Sequence, residues 1–127
     1  MASDYQEIKK KRVGICYAWN GLKYALKNEI NMRVHLMMTL LVIMLGIFLS
    51  VSFIEWVLLL LTIGLVLTAE LFNTAVELLL DYLAPERHPI AGIIKDLTAG
   101  GVLVASMMAA AIGLIIFLPK LIAVIFL

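Results

Sequence analysis

The strongest constraint on this chain is where its charges are missing. They leave three apolar runs, 34–54, 56–80 and 97–119, in a sequence of 127 residues. A helix crossing a hydrocarbon core about 30 Å thick needs roughly 20 such residues. The first run has no Asp, Glu, Lys or Arg and only His35 near its start; the third is also free of charge. The second is interrupted by Glu70, Asn73 and Glu77. Of all residues 64% are hydrophobic and 15% charged, against about 45–50% and about 25% in an ordinary soluble domain. A water-soluble globule of this size has no interior large enough to hide that surface, which removes soluble enzymes from consideration. The single cysteine, Cys16, excludes an intrachain disulfide and any multi-cysteine metal site. The chain reads as a small all-α integral membrane protein.

The runs divide it into a basic segment, 1–33, and a three-span membrane domain, 34–127, with a loop over 81–96. Within the first segment Ile15, Trp19, Leu22 and Leu26 recur at spacings of three and four, while Lys23 and Lys27 fall on another face. That pattern predicts an amphipathic helix lying on the bilayer surface. No continuous apolar stretch follows early enough to read as a secretory signal. Lys9, Lys10, Lys11, Arg12, Lys23, Lys27 and Arg33 precede the first run, and Arg87 and Lys95 lie in the 81–96 loop, whereas 50–55 has no Lys or Arg. Basic residues stay in the cytoplasm, so the N-terminus and the second loop are expected there and the C-terminus outside, with Lys120 an exception. Pro119 closes the third run, and the tail LIAVIFL either extends the helix or lies in the interface. Gly101, Ala105, Ala109 and Gly113 form a small-residue stripe on the third span, a candidate surface for helix association.

The acids in the second run carry the functional signal. On a helix Glu70, Asn73, Glu77 and Asp81 fall within about 80° of the circumference. A stripe of polar groups must face protein or water, because lipid leaves it unpaired. If the helix starts near Trp56 at the outer surface, Glu70 lies roughly 21 Å along it and Glu77 roughly 31 Å, so the stripe opens at the cytoplasmic edge. Glu29 precedes the first span, Lys95 and Asp96 stand where the third begins, and Asn28, Glu86, Arg87 and His88 reach the same layer. Carboxylates with an amide suit a magnesium ion that shares its shell with phosphate oxygens, and lysine and arginine suit the phosphates themselves. A deeper glutamate can take a proton from a hydroxyl in the bilayer. Together these are the parts of a phosphoryl-transfer site. Taken singly they are weaker. His88 reads as a structural loop residue, His35 as a snorkelling one at a span end, and Glu29 with Arg33 as a helix pair. No Walker A, Rossmann or protein-kinase signature is present, so any nucleotide is held by side chains at helix ends.

The string AELFNTAVELLLD (69–81) closely resembles the signature E-x-x-N-(S/T)-A-(I/V)-E-x-x-x-D of the prokaryotic diacylglycerol kinase/undecaprenol kinase family. The resemblance extends to GLKYALKNEINMRVH (21–35), PERHP (85–89) and KDLTAG (95–100), and covers nearly the whole chain in order and spacing. It implies a homotrimer of subunits with three spans and a surface helix each, with active sites at subunit interfaces on the cytoplasmic side of a bacterial inner membrane. It further implies that Glu70 is the general base and that Asn73 orients the base or the lipid. Glu29 and Glu77 become the carboxylates that hold magnesium on the ATP phosphates. Tyr17, Glu86, Arg87, His88, Lys95 and Asp96 become ATP contacts, with Lys95 on the phosphates and Arg87 replacing the family's usual tyrosine. NEINMRVH and Ala99 look more like the undecaprenol branch, whereas the diacylglycerol branch usually has serine at the latter position. The expected partners are ATP, a lipid alcohol, the membrane and further copies of the chain, with no nucleic acid. A competing class is a small proton-coupled or multidrug transporter built on one embedded glutamate, which predicts an acid near midplane and no phosphate-binding lysine. An accessory membrane subunit without chemistry leaves the buried acids unexplained.

Overall fold

A computed structural model describes residues 14–86 and 88–126. Lys9 to Arg12 and Arg87 therefore lie outside the described residues. Within them the chain forms four helices: α1 (Gly14–Asn28), α2 (Ile30–Phe48), α3 (Phe53–Leu83) and α4 (Pro89–Phe126). The last three are each long and apolar enough to cross a membrane. The protein is an all-α, multi-pass membrane protein with a short amphipathic helix at its start.

Each break has a local cause. At Glu29 the backbone becomes extended (φ −105°, ψ 119°), and Asn28 Nδ2 donates to Tyr24 O at 2.8 Å, so the surface helix ends at Asn28. The second helix thus starts at Ile30, before the first apolar run, and stops at Phe48. There Ser50 turns the chain in the left-handed region (φ 49°), a conformation costing a non-glycine residue roughly 1–2 kcal/mol. Ser52 then caps α3. Its Oγ accepts from Glu55 N at 3.4 Å, while Glu55 Oε2 accepts from Ser52 N at 2.6 Å, a reciprocal box satisfying two otherwise orphaned donors. The same Glu55 oxygen meets Lys120 Nζ at 3.1 Å, so the one basic residue beyond the third run is neutralised inside the fold.

The expected loop over 81–96 contracts to 84–88. Helix α3 runs on to Leu83 because nothing before Pro85 breaks it, and the residue preceding a proline avoids helical angles. Proline fits the first position of a helix, so Pro89 begins α4 instead of ending the loop. Pro119 does not end α4, which continues through the apolar tail to Phe126.

The packed core lies at the α2–α3 turn. Leu49, Val51, Leu59, Ile116 and Phe117 are buried together with Val42, Leu45, Trp56, Ile112 and Leu121 around them. Gly46 lets α2 approach Trp56; a Cβ there would lie 2.7 Å from the indole Cη2. Most helix contact is between α3 and α4. The small-residue stripe belongs partly to that packing: Ala105 is buried, Ala109 and Gly113 are half-buried, and only Gly101 is exposed. Small side chains let α4 lie close to its own neighbours, so within the subunit the stripe serves helix association. Two hydroxyls within the spans, Thr39 and Thr62, donate to their own helices, at His35 O and Leu59 O, as a dry surrounding favours.

Candidate active site

The polar stripe of α3 occupies the end of the bundle opposite that core and grades from sealed to open. Glu70 is 1% exposed, Asn73 is buried, Glu77 half-buried and Asp81 exposed. Asn73 Nδ2 donates to Glu77 Oε1 at 3.1 Å. That bond links the amide to the Glu77 carboxylate one turn further along the helix. Glu70 Oε1, Asn73 Oδ1 and Thr74 Oγ1 are buried without a hydrogen-bond partner among the described residues. Buried polar groups are ordinarily paired, and three orphans within five residues of one helix mark a place built to receive something.

Helix α2 supplies the facing wall. Glu29, His35 and Glu77 lie within electrostatic reach of the Glu70 carboxyl, with Asn31 beside it. The extended backbone of Glu29 leaves its carboxylate making no capping bond to its own helix, so it is available to the site. Besides its place near a span end, His35 is half-buried, within electrostatic reach of Glu70, and lines an apolar cavity of about 330 Å³. Val34, His35, Val66, Ser106, Gly113 and Phe117 are among the lining residues of that cavity. Val66, one helical turn before Glu70, is part of that lining.

A second cavity, about 470 Å³, opens between the end of α3 and the start of α4. Asp81, Glu86, His88 and Lys95 line it with Pro85, Pro89 and apolar neighbours. Lys95 Nζ meets Asp81 Oδ1 at 2.5 Å across the two helices, and its ammonium is within electrostatic reach of Glu77. Lysine therefore joins the cavity to the acidic stripe. His88 Nδ1 accepts from Ile90 N at 3.3 Å, so this histidine does cap α4 while remaining in the cavity wall. Asp96 is exposed and stands beside Lys95 without lining the cavity, and Tyr17 lies on α1 with its ring partly exposed.

Among the described residues no three His, Cys, Asp or Glu side chains gather closely enough to hold a metal ion alone. Magnesium does not require it, since this ion usually takes one or two carboxylates and completes its shell with water and phosphate. Glu29 and Glu77, one with no cap bond and the other held by Asn73, fit that demand.

Comparison with known proteins decides the class. A family profile described as prokaryotic diacylglycerol kinase matches residues 16–117. The chain belongs to that family. Similar proteins include the undecaprenol kinase of Bacillus subtilis, 37% identical over 83% of this chain and 85% of that protein. The diacylglycerol kinase of Synechocystis sp. is 37% identical over 87% of this chain and 64% of its own length. That of Escherichia coli K12 is 34% identical over 73% and 76%. The protein is a lipid kinase, using ATP and a lipid substrate at a membrane. An acid cluster at the end of the bundle with a lysine beside it suits this class, and the transporter alternative has no counterpart in these relatives.

Sequence reasoning passed over Asn31 and His35 as site residues and gave Asp81 no role beyond the stripe. One signal was available: His35 is the only titratable side chain in the first apolar run, and ionisable groups in a span default to function.

Proposed function

We propose that the chain transfers the γ-phosphoryl group of ATP to the hydroxyl of undecaprenol, with Glu70 as general base. Glu70 carries the reading: 1% exposed, unpartnered at Oε1, and set in an apolar helix. Placing such a charge in a span costs roughly 2.5–3.5 kcal/mol on insertion scales, and among the described residues no ion pair offsets it. The hydroxyl proton passes to the Glu70 carboxylate as the alcohol oxygen forms a bond to the γ-phosphorus. The bond from that phosphorus to the β,γ-bridging oxygen breaks and ADP leaves. Glu29 and Glu77, the latter oriented by Asn73, would hold the magnesium ion, which when bound neutralises charge on the phosphate oxygens. Lys95 takes the phosphates from the 470 Å³ cavity, with Glu86 and His88 in its wall. Tyr17, Arg87 and Asp96 are assigned to the nucleotide on the family resemblance.

The 330 Å³ cavity beside His35 suits the first part of a lipid chain. A cavity of about 150 Å³ holds a benzene ring, so about a dozen carbons fit. Undecaprenol is favoured because the undecaprenol kinase is matched over 85% of its length. Diacylglycerol is the second reading, supported by the names of the other two relatives.

Charge placement supports a cytoplasmic N-terminus and 84–88 loop. Assembly into a homotrimer is supported by α3. Leu58, Leu61, Leu65, Thr68, Phe72, Ala75, Leu79 and Tyr82 alternate at three and four residues, and all are exposed. An apolar repeat of that period is the pattern of packed parallel helices. A side-by-side assay of magnesium ATP with undecaprenol and diacylglycerol in mixed micelles tests the proposal. Faster turnover of undecaprenol is expected, preference for diacylglycerol transfers the assignment to the second reading, and phosphorylation of neither refutes it.

A further inference from the structure

We propose that Asp81 is a positioning residue for the nucleotide, acting through Lys95. The proposal rests on the kinase reading above and on Lys95 contacting phosphate. Asp81 is the last residue of the α3 stripe and Lys95 lies on α4, fourteen residues later; their 2.5 Å contact spans the mouth of the cavity between them. An acid lining a cavity for phosphates is unfavourable on charge alone, so its presence needs a reason.

Holding the helices together is a weak one. The side chains are 37% (Lys95) and 66% (Asp81) exposed, and ion pairs that open to solvent add little stability. The α3–α4 contact is already extensive along the bundle and sealed at its far end by buried apolar residues.

Steering the lysine is a better reason. An ammonium on a four-carbon stem has three donors and wide rotamer freedom. Asp81 occupies one donor and leaves two on a lysine that lines the cavity with Glu86 and His88. Rotamer freedom is then lost in folding and not again when phosphate arrives. The full side-chain entropy of lysine corresponds to about thirtyfold in affinity, and a partial loss to about tenfold. The same contact keeps the ammonium near Glu77, which ties the phosphate end of the nucleotide to the acidic stripe.

Steady-state kinetics of the assembled enzyme in micelles, with ATP varied at saturating lipid acceptor and then lipid varied at saturating ATP, tests this. Wild-type turnover must first be demonstrated, which separates failure of the kinase reading from failure of this one. Asp81→Asn is expected to raise the KM for ATP about tenfold, with a smaller change in kcat and none in the KM for lipid. Asp81→Glu, which keeps the pair, should restore the ATP KM to within about twofold. Adding Asp81→Asn to Lys95→Met should leave that variant's ATP KM where it is, since the group being steered is already gone. An unchanged ATP KM in Asp81→Asn refutes the proposal and leaves a helix staple. A lowered KM refutes it too, showing that Asp81 only repels phosphate. KM does not depend on the fraction of enzyme that folds, and Asp81→Ser gives the same comparison should the Asn variant fail to assemble.

Discussion

Replacing Glu70 by Gln separates chemistry from folding more cleanly than any other single change. The side chain keeps its length and planarity in a site where Glu70 is 1% exposed and Oε1 has no partner, so nothing need move. What is lost is the proposed proton acceptor. A positioned general base contributes about 10²–10⁴ to rate, equivalent to about 3–5 kcal/mol of barrier at about 1.4 kcal/mol per decade. Glu70 makes no ion pair among the described residues, and a neutral amide costs less to bury than a carboxylate, so stability should be equal or higher. The assay is single-site: initial rates of lipid phosphorylation alongside the midpoint of detergent-induced unfolding on the same preparation. Expected is a fall in kcat of at least about a hundredfold with the midpoint unchanged or raised. A variant retaining more than a third of wild-type turnover would remove Glu70 from the reaction. A variant that is inactive because it no longer folds would show that the residue is structural.

Three further outcomes are expected. Glu77→Gln keeps an oxygen to accept from Asn73 but gives up charge, so half-saturating magnesium should rise about tenfold or more, as loss of a charge-assisted contact of about 1.5–3 kcal/mol requires; a magnesium titration of activity checks it. Gly46→Ala places a methyl 2.7 Å from the Trp56 ring, and overpacking of this kind costs about 1–3 kcal/mol, readable as a lowered unfolding midpoint with tryptophan fluorescence as the probe. Phe72→Glu alters a side chain 68% exposed within the subunit, so, on the proposed trimer, crosslinking should show loss of the oligomer while circular dichroism of the subunit is retained.

The number of spanning helices, the basic surface helix and the acidic stripe of α3 were legible in the amino-acid string, because each depends on periodicity within one segment. Glu70, Asn73 and Glu77 share a face of any helix that contains them, whatever surrounds it. The helix ends were less legible. The loop shortened because Pro89 starts a helix as readily as it blocks one, and the tail beyond Pro119 stayed helical as lipid favours for any backbone.

Tertiary structure alone decided which faces meet. In a chain this apolar, hydropathy does not distinguish a lipid-facing side from a packed one, so the small residues of α4 read as a surface for helix association without naming the neighbour, which the burial of Ala105 places within the subunit. The heptad face of α3 stood out only once its residues proved exposed. The approach of Asn31 and His35 to Glu70 and the contact of Lys95 with Asp81 depend on how helices are rotated against one another. That rotation is set by packing at the far end, where Trp56 lies against Gly46 and Glu55 against Lys120, residues with no part in the chemistry.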